Sequence, residues 1–202
     1  MFFPAFERIK SLATRHSGRT FTPEQFTHLL RMQFRDSRLR FSCQRDALMT
    51  KKNFYIHAEY RPYDDEDNKP CIYVNLIFNP RCRRVGIKDY DWDSMSFHIA
   101  DTVTHEYLHQ YYCRQRNFEF GRGYRTKRLL RYSETMRDYL GCEDEILAYA
   151  FNVASEMVVY NRPMESTKVY KLYLRYFRKD RKVMLQLQKQ ADKYIKRLEQ
   201  AS

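Results

Sequence analysis

The residues His105-Glu106-Tyr107-Leu108-His109 place two imidazoles four positions apart, with a carboxylate directly after the first. On a helix, positions four apart stand one above the other on a single face. Two imidazoles so placed reach one Zn²⁺ at about 2.0–2.1 Å and leave the other tetrahedral positions for further ligands. A glutamate after the first histidine projects beside a metal-bound water and accepts its proton. Zinc lowers the pKa of that water from about 16 to about 7. The chemistry served by this spacing is hydrolysis. With six histidines in 202 residues, the pattern arises by chance in about one chain in a hundred of this composition. The competing plain reading is a surface helix with two solvated histidines.

A third ligand has to come from a second helix packed on the first. The stretch Glu143-Asp144-Glu145-Ile146-Leu147-Ala148-Tyr149-Ala150 is the best source. Glu145, near the helix start and followed by the small Ala148 one turn later, lets two helices approach closely around a metal. Glu143 and Asp144 are the alternatives. His98 lies two turns before His105, about 10 Å along the axis, too far to bind the same ion; it reads as a partly buried polar side chain. His16, His28 and His57 have no partner pattern.

These residues need elements to hold them. Thr22-Pro23-Glu24-Gln25 is a capping box with proline in the first turn, and Phe26, Leu29, Leu30 and Phe34 continue it as a helix over about 22–35. Asn53–Tyr60 and Cys71–Phe78 are rich in β-branched and aromatic residues and predict an antiparallel hairpin across the acidic, proline-containing segment Arg61–Pro70. A short strand is expected at Arg83–Ile87. From Ser94 onward the pattern is helical, over about 94–115, 126–139 and 143–160. A last helix starts near Glu165 and bends near Lys179–Arg181; its tail repeats Met184, Leu187, Ala191, Tyr194 and Leu198 at three- and four-residue intervals. Ile99, Val103, Tyr107 and Tyr111 form an apolar stripe on the motif helix. Strands first and helices after predict an α+β fold.

The H-E-x-x-H at 105–109 followed by Glu145-x-x-Ala148-x-x-Phe151 resembles the gluzincin branch of zincin metallopeptidases, and is most like the small metallopeptidases encoded by bacteriophages. The resemblance covers about residues 95–155. It implies a zincin-like domain over 1–163, with a basic C-terminal helical extension over 164–202 packed on it. It implies Zn²⁺ held by His105, His109 and Glu145, with Glu106 as general base. It assigns Cys71–Phe78 as the strand edging the cleft, pairing with extended substrate; a plain sheet strand with no exposed edge toward the cleft is the equal alternative. Tyr149, one turn beyond Glu145, is a candidate for the group that stabilises the developing oxyanion; plain core packing is its alternative. The implied activity is a zinc-dependent metalloendopeptidase acting on an intracellular protein or peptide in the cytoplasm, the host's if the chain is phage-encoded.

Two other readings stand beside it. SprT-like proteases, which cleave DNA-associated proteins, also carry H-E-x-x-H, but usually with a third histidine, and no histidine follows His109. A basic nucleic-acid- or protein-binding module with structural zinc would have no need of Glu106. The net charge of +12 concentrates in 110–142 and 165–202. In the second segment Tyr170, Tyr173, Tyr176 and Phe177 interleave with the cations, a pattern that serves stacking on bases or, more commonly, core packing. No stretch approaches the roughly 18 apolar residues of a membrane span, and the opening residues, broken by Pro4 and Glu7, do not form a secretory signal. Five cysteines with no C-x-x-C pair read as reduced thiols in an intracellular setting.

Overall fold

The computed structural model describes residues 2–49, 54–123 and 132–200, which group into two compact units, residues 1–110 and 111–202. In the first unit, α1 (Phe2–Lys10) and the short α2 (Leu12–Arg15) open the chain. Helical spacing turns Phe2, Ala5, Phe6 and Ile9 of α1 inward, and Phe2 meets Phe97 edge-on at 5.8 Å. Strand β1 (Thr20–Phe21) leads into α3 (Pro23–Arg31). The capping box forms: Thr22 Oγ1 accepts the Gln25 N–H and Gln25 Oε1 accepts the Thr22 N–H. The helix stops at Arg31, short of the expected 35. Gln33 and Phe34 tighten the last turn onto Leu30 and Arg31, and Arg35 takes a left-handed φ of 47° that ends propagation.

Strands β2 (Leu39–Arg45), β3 (Tyr55–Tyr60) and β4 (Ile72–Phe78) form a mixed sheet in the order β2-β4-β3. β3 and β4 are the expected antiparallel hairpin, with the short α4 (Pro62–Glu66) in their connection. β2 lies parallel to β4. It has no counterpart among the sequence expectations, although Leu39, Phe41 and Cys43 alternate with Arg40, Ser42 and Gln44; the alternation is short, and only Leu39 of the strand is buried. β4 buries Ile72, Val74, Leu76 and Phe78 at the two-residue period. It is the middle strand, hydrogen-bonded on both sides, so the expectation that Cys71–Phe78 edges a cleft and pairs with substrate is corrected: β4 has no open edge for an added strand. β5 (Val85–Gly86) is a two-residue version of the strand expected at 83–87 and pairs with β1.

Helix α5 (Trp92–Gln115) begins two residues earlier than the pattern indicates. Asp91 Oδ1 accepts the Asp93 and Ser94 N–H groups, and Trp92 Nε1 donates to the Ile87 carbonyl at 2.6 Å. Ile99 and Val103 of its apolar stripe are buried, Tyr107 is half-buried and Tyr111 is exposed.

The second unit contains α6 (Tyr132–Leu140), α7 (Glu143–Tyr160), α8 (Lys168–Phe177) and α9 (Arg181–Glu199). The first part of the helix expected at 126–139 lies outside the described residues, as do Arg125, Lys127, Arg128 and Arg131. α7 has the expected bounds and ends at Asn161 with φ 47°. The last helical pattern divides where a bend is expected, and Asp180 caps the new start by accepting the Val183 N–H. The stripe Met184, Leu187, Ala191, Tyr194 and Leu198 is buried and α9 packs against α7, with Phe151 and Tyr194 in edge contact at 5.5 Å. A small mixed sheet followed by helices, with α5 carrying His105 and His109 and α7 carrying Glu145, is an α+β, zincin-like arrangement. No helix among the described residues is long and apolar enough to cross a membrane. None of the five cysteines is in a disulfide.

Candidate metal centre

The four-residue spacing on α5 brings the rings of His105 and His109 to 4.7 Å between centroids, inclined at 71°. Their Nε2 atoms stand 3.0 Å apart. Two imidazole nitrogens aimed at each other at that distance share either a proton or a cation. Ligands of one tetrahedral zinc would be about 3.3 Å apart at standard bond lengths, so the observed separation needs little change to hold an ion. His105 is buried and His109 half-buried. One ligand atom from each histidine and a carboxylate oxygen of Glu145 all lie within 4.8 Å of one another. Two imidazole nitrogens and one carboxylate oxygen are a donor set that zinc accepts, and the residues present therefore fit a Zn²⁺ ion.

The three adjacent acids at the start of α7 have different surroundings. Glu143 Oε2 accepts the Arg122 N–H at 3.2 Å. Asp144 is held by the Arg116 guanidinium and by the Gly121 N–H, the latter at 3.0 Å. A Cβ at Gly121 would come within 2.6 Å of the Asp144 carboxylate, so this approach requires glycine. Glu145 is the acid that joins the histidine cluster, and it is buried.

Tyrosines surround Glu145. The Tyr139 hydroxyl is hydrogen-bonded to Glu145 and Tyr149; burial, followed by the neighbouring Glu145 carboxylate, raises its pKa well above the ordinary phenol value. Tyr139 is 44% exposed as a residue, while its hydroxyl is engaged by Glu145 and Tyr149. Tyr149 is half-buried and packs edge-on against Tyr173 at 5.8 Å, while the Tyr173 hydroxyl donates to the Leu140 carbonyl at 2.8 Å. Tyr149 thus packs and hydrogen-bonds at the same time. Tyr139 is absent from the sequence expectations: it belongs to a different helix from Glu145, across the Gly141 turn, and no spacing rule links the two.

Next to His105 on α5, Glu106 Oε2 accepts the backbone N–H of Tyr60 at 2.9 Å. The neighbouring Arg61 N–H points inward to the Cys71 carbonyl just before β4, so by antiparallel alternation the Tyr60 N–H points to the outer edge of β3. Tyr107 donates to Asp36 Oδ2 at 2.6 Å, and Arg38 grips the same carboxylate. Burial alone would raise the Asp36 pKa, but the hydrogen bonds from Arg38 and Tyr107 outweigh it and hold the carboxyl at about 2. Burial, reinforced by Asp36, pushes the Tyr107 hydroxyl far upward, so it stays protonated as a donor. His98 is exposed rather than partly buried. Among the aromatics interleaved with C-terminal charge, Tyr170, Tyr173 and Phe177 are buried, which withdraws those rings from any stacking surface.

Comparison with known proteins finds no matching family model, no significantly similar curated protein and no significantly similar solved structure. The functional reading therefore rests on the geometry.

Proposed function

We propose that this chain is a zinc-dependent metalloendopeptidase of the gluzincin type, with His105, His109 and Glu145 as metal ligands and Glu106 as general base. The observation that carries the reading is the convergence of three ligand atoms within 4.8 Å, beside a glutamate in the register hydrolysis needs. A bound Zn²⁺ would supply Lewis acidity to a water and to the scissile carbonyl. Glu106 takes a proton from the attacking water as its oxygen adds to the carbonyl carbon. Glu106 then delivers that proton to the leaving amine nitrogen as the C–N bond breaks. The Tyr60 N–H bond orients the Glu106 carboxylate without exhausting its capacity, since a carboxylate accepts about four hydrogen bonds. Tyr149, with Tyr139 hydrogen-bonded to it, is our candidate to donate toward the developing oxyanion. The substrate class is a protein or peptide, and the proposed compartment is the cytoplasm, the host's if the chain is phage-encoded.

The test is elemental analysis combined with cleavage of a denatured protein substrate. Wild type should hold one zinc per chain. His105→Ala and Glu145→Ala should lose it, and Glu106→Gln should keep it while cleavage falls about 10²- to 10⁴-fold. A wild-type protein that neither contains nor takes up zinc would sink the reading.

A further inference from the structure

Asp65 lies in α4, the turn helix between β3 and β4, and is only 3% exposed. Burying a carboxylate is costly unless hydrogen bonds replace its water. Tyr60 donates its hydroxyl to Asp65 Oδ2 at 3.0 Å. Gln110 Nε2 donates to Oδ1 at 2.9 Å, and the Cys71 thiol donates to Oδ1 at 3.3 Å. The orientation of the Gln110 amide follows from its other end, where Oε1 accepts from Arg38 Nη1 at 3.3 Å.

Two of these partners flank Glu106. Tyr60 is the residue whose backbone N–H binds Glu106 Oε2. Gln110 lies four positions after Glu106, on the same face of α5. The contacts therefore close a ring that runs from Glu106 to the Tyr60 amide, through the Tyr60 side chain to Asp65, on to Gln110, and back along one helical turn to Glu106. Gln110 is 45 positions from Asp65, and none of Tyr60, Asp65 and Gln110 is among the proposed metal ligands. A ring of this kind fixes the end of β3 against the helix face, which a single exposed hydrogen bond would not do.

We infer that Asp65 is a positioning residue that, through Tyr60 and Gln110, sets the carboxylate of Glu106 in its working orientation. This rests on the assignment of Glu106 as general base. Misplacing a general base lowers the rate of the chemical step without loosening the metal or the substrate.

The experiment uses Tyr60→Phe, which keeps the ring and the amide and removes only the hydroxyl, together with Asp65→Asn. Amide hydrogen exchange is followed at residue 60, with Val74 and Leu76 of the central strand as folding controls. In wild type the residue 60 amide should be protected. In both variants it should exchange at least tenfold faster while the controls are unchanged. Zinc content should stay at the wild-type level, KM should stay within about twofold, and kcat should fall about 10- to 100-fold. An unprotected amide in wild type overturns the inference, as does wild-type exchange or unchanged kcat in the variants. Should Asp65→Asn fail to fold, Tyr60→Phe decides alone. If wild type binds no zinc and cleaves nothing, the proposed function falls, and the exchange data alone still decide whether Asp65 sets Glu106.

Discussion

Asp36 shows how one residue can tie the motif helix to its own unit. Its carboxylate receives Tyr107 from α5 and Arg38 from the chain just before β2, and its pKa of about 2 lies below the ordinary carboxylate value of about 3.9. A depressed native pKa contributes stability that is present above the unfolded value and lost as pH falls through the native one. Asp36→Asn should therefore be less stable than wild type by about 1–2 kcal/mol at pH 6, after allowing for the partly solvated Arg38. The gap should shrink below about pH 4 and close near pH 2. Urea titrations of both metal-free proteins across that range measure it; a gap independent of pH would show that Asp36 does not act through its charge. None of this is legible in the sequence. Asp36 and Tyr107 are 71 positions apart, and only the packing of α5 within its unit brings them together. The histidine pair is the opposite case, because helical periodicity alone places His109 one turn from His105.

At the scale of elements, burial separates residues that composition treats alike. Leu187 and Leu185 both lie on α9, yet the first is fully buried and the second is 62% exposed. Leu187→Ala should cost about 2–5 kcal/mol through lost burial and the cavity it leaves, whereas Leu185→Ala should stay within about 0.5 kcal/mol. Denaturant midpoints of the two variants provide the check, and equal losses would contradict the packing of α9 on α7. The three- and four-residue periodicity indicated this face in advance. Strand β2 was invisible by the same criterion. Its alternation of Leu39, Phe41 and Cys43 with polar residues is brief and buries only Leu39, and its place in the sheet comes from pairing with β4, a partner about thirty residues away. The same pairing closes the second edge of β4, so the strand with the strongest apolar alternation is the middle one, not an edge.

For the whole molecule, the proposed metal centre links ion binding to folding, because its ligand set is assembled only in the native chain. Zinc at about 100 times its dissociation constant should stabilise the native state by about 2.7 kcal/mol. That corresponds to a rise of roughly 5–11 °C in melting temperature for a chain of this size. Chelation should reverse the rise and Glu145→Ala should abolish it; calorimetry with and without zinc distinguishes these outcomes, and an unchanged melting temperature would argue against a native-state site. The sequence by itself determined the two histidines, the neighbouring glutamate, the helices that carry them and a short set of acids, because these depend on spacing along one helix. Which acid joins the histidines, which tyrosine touches it and what holds Glu106 were decided only by tertiary structure. Those contacts connect residues on different helices and strands, and no local periodicity encodes the distance between two side chains brought together by packing.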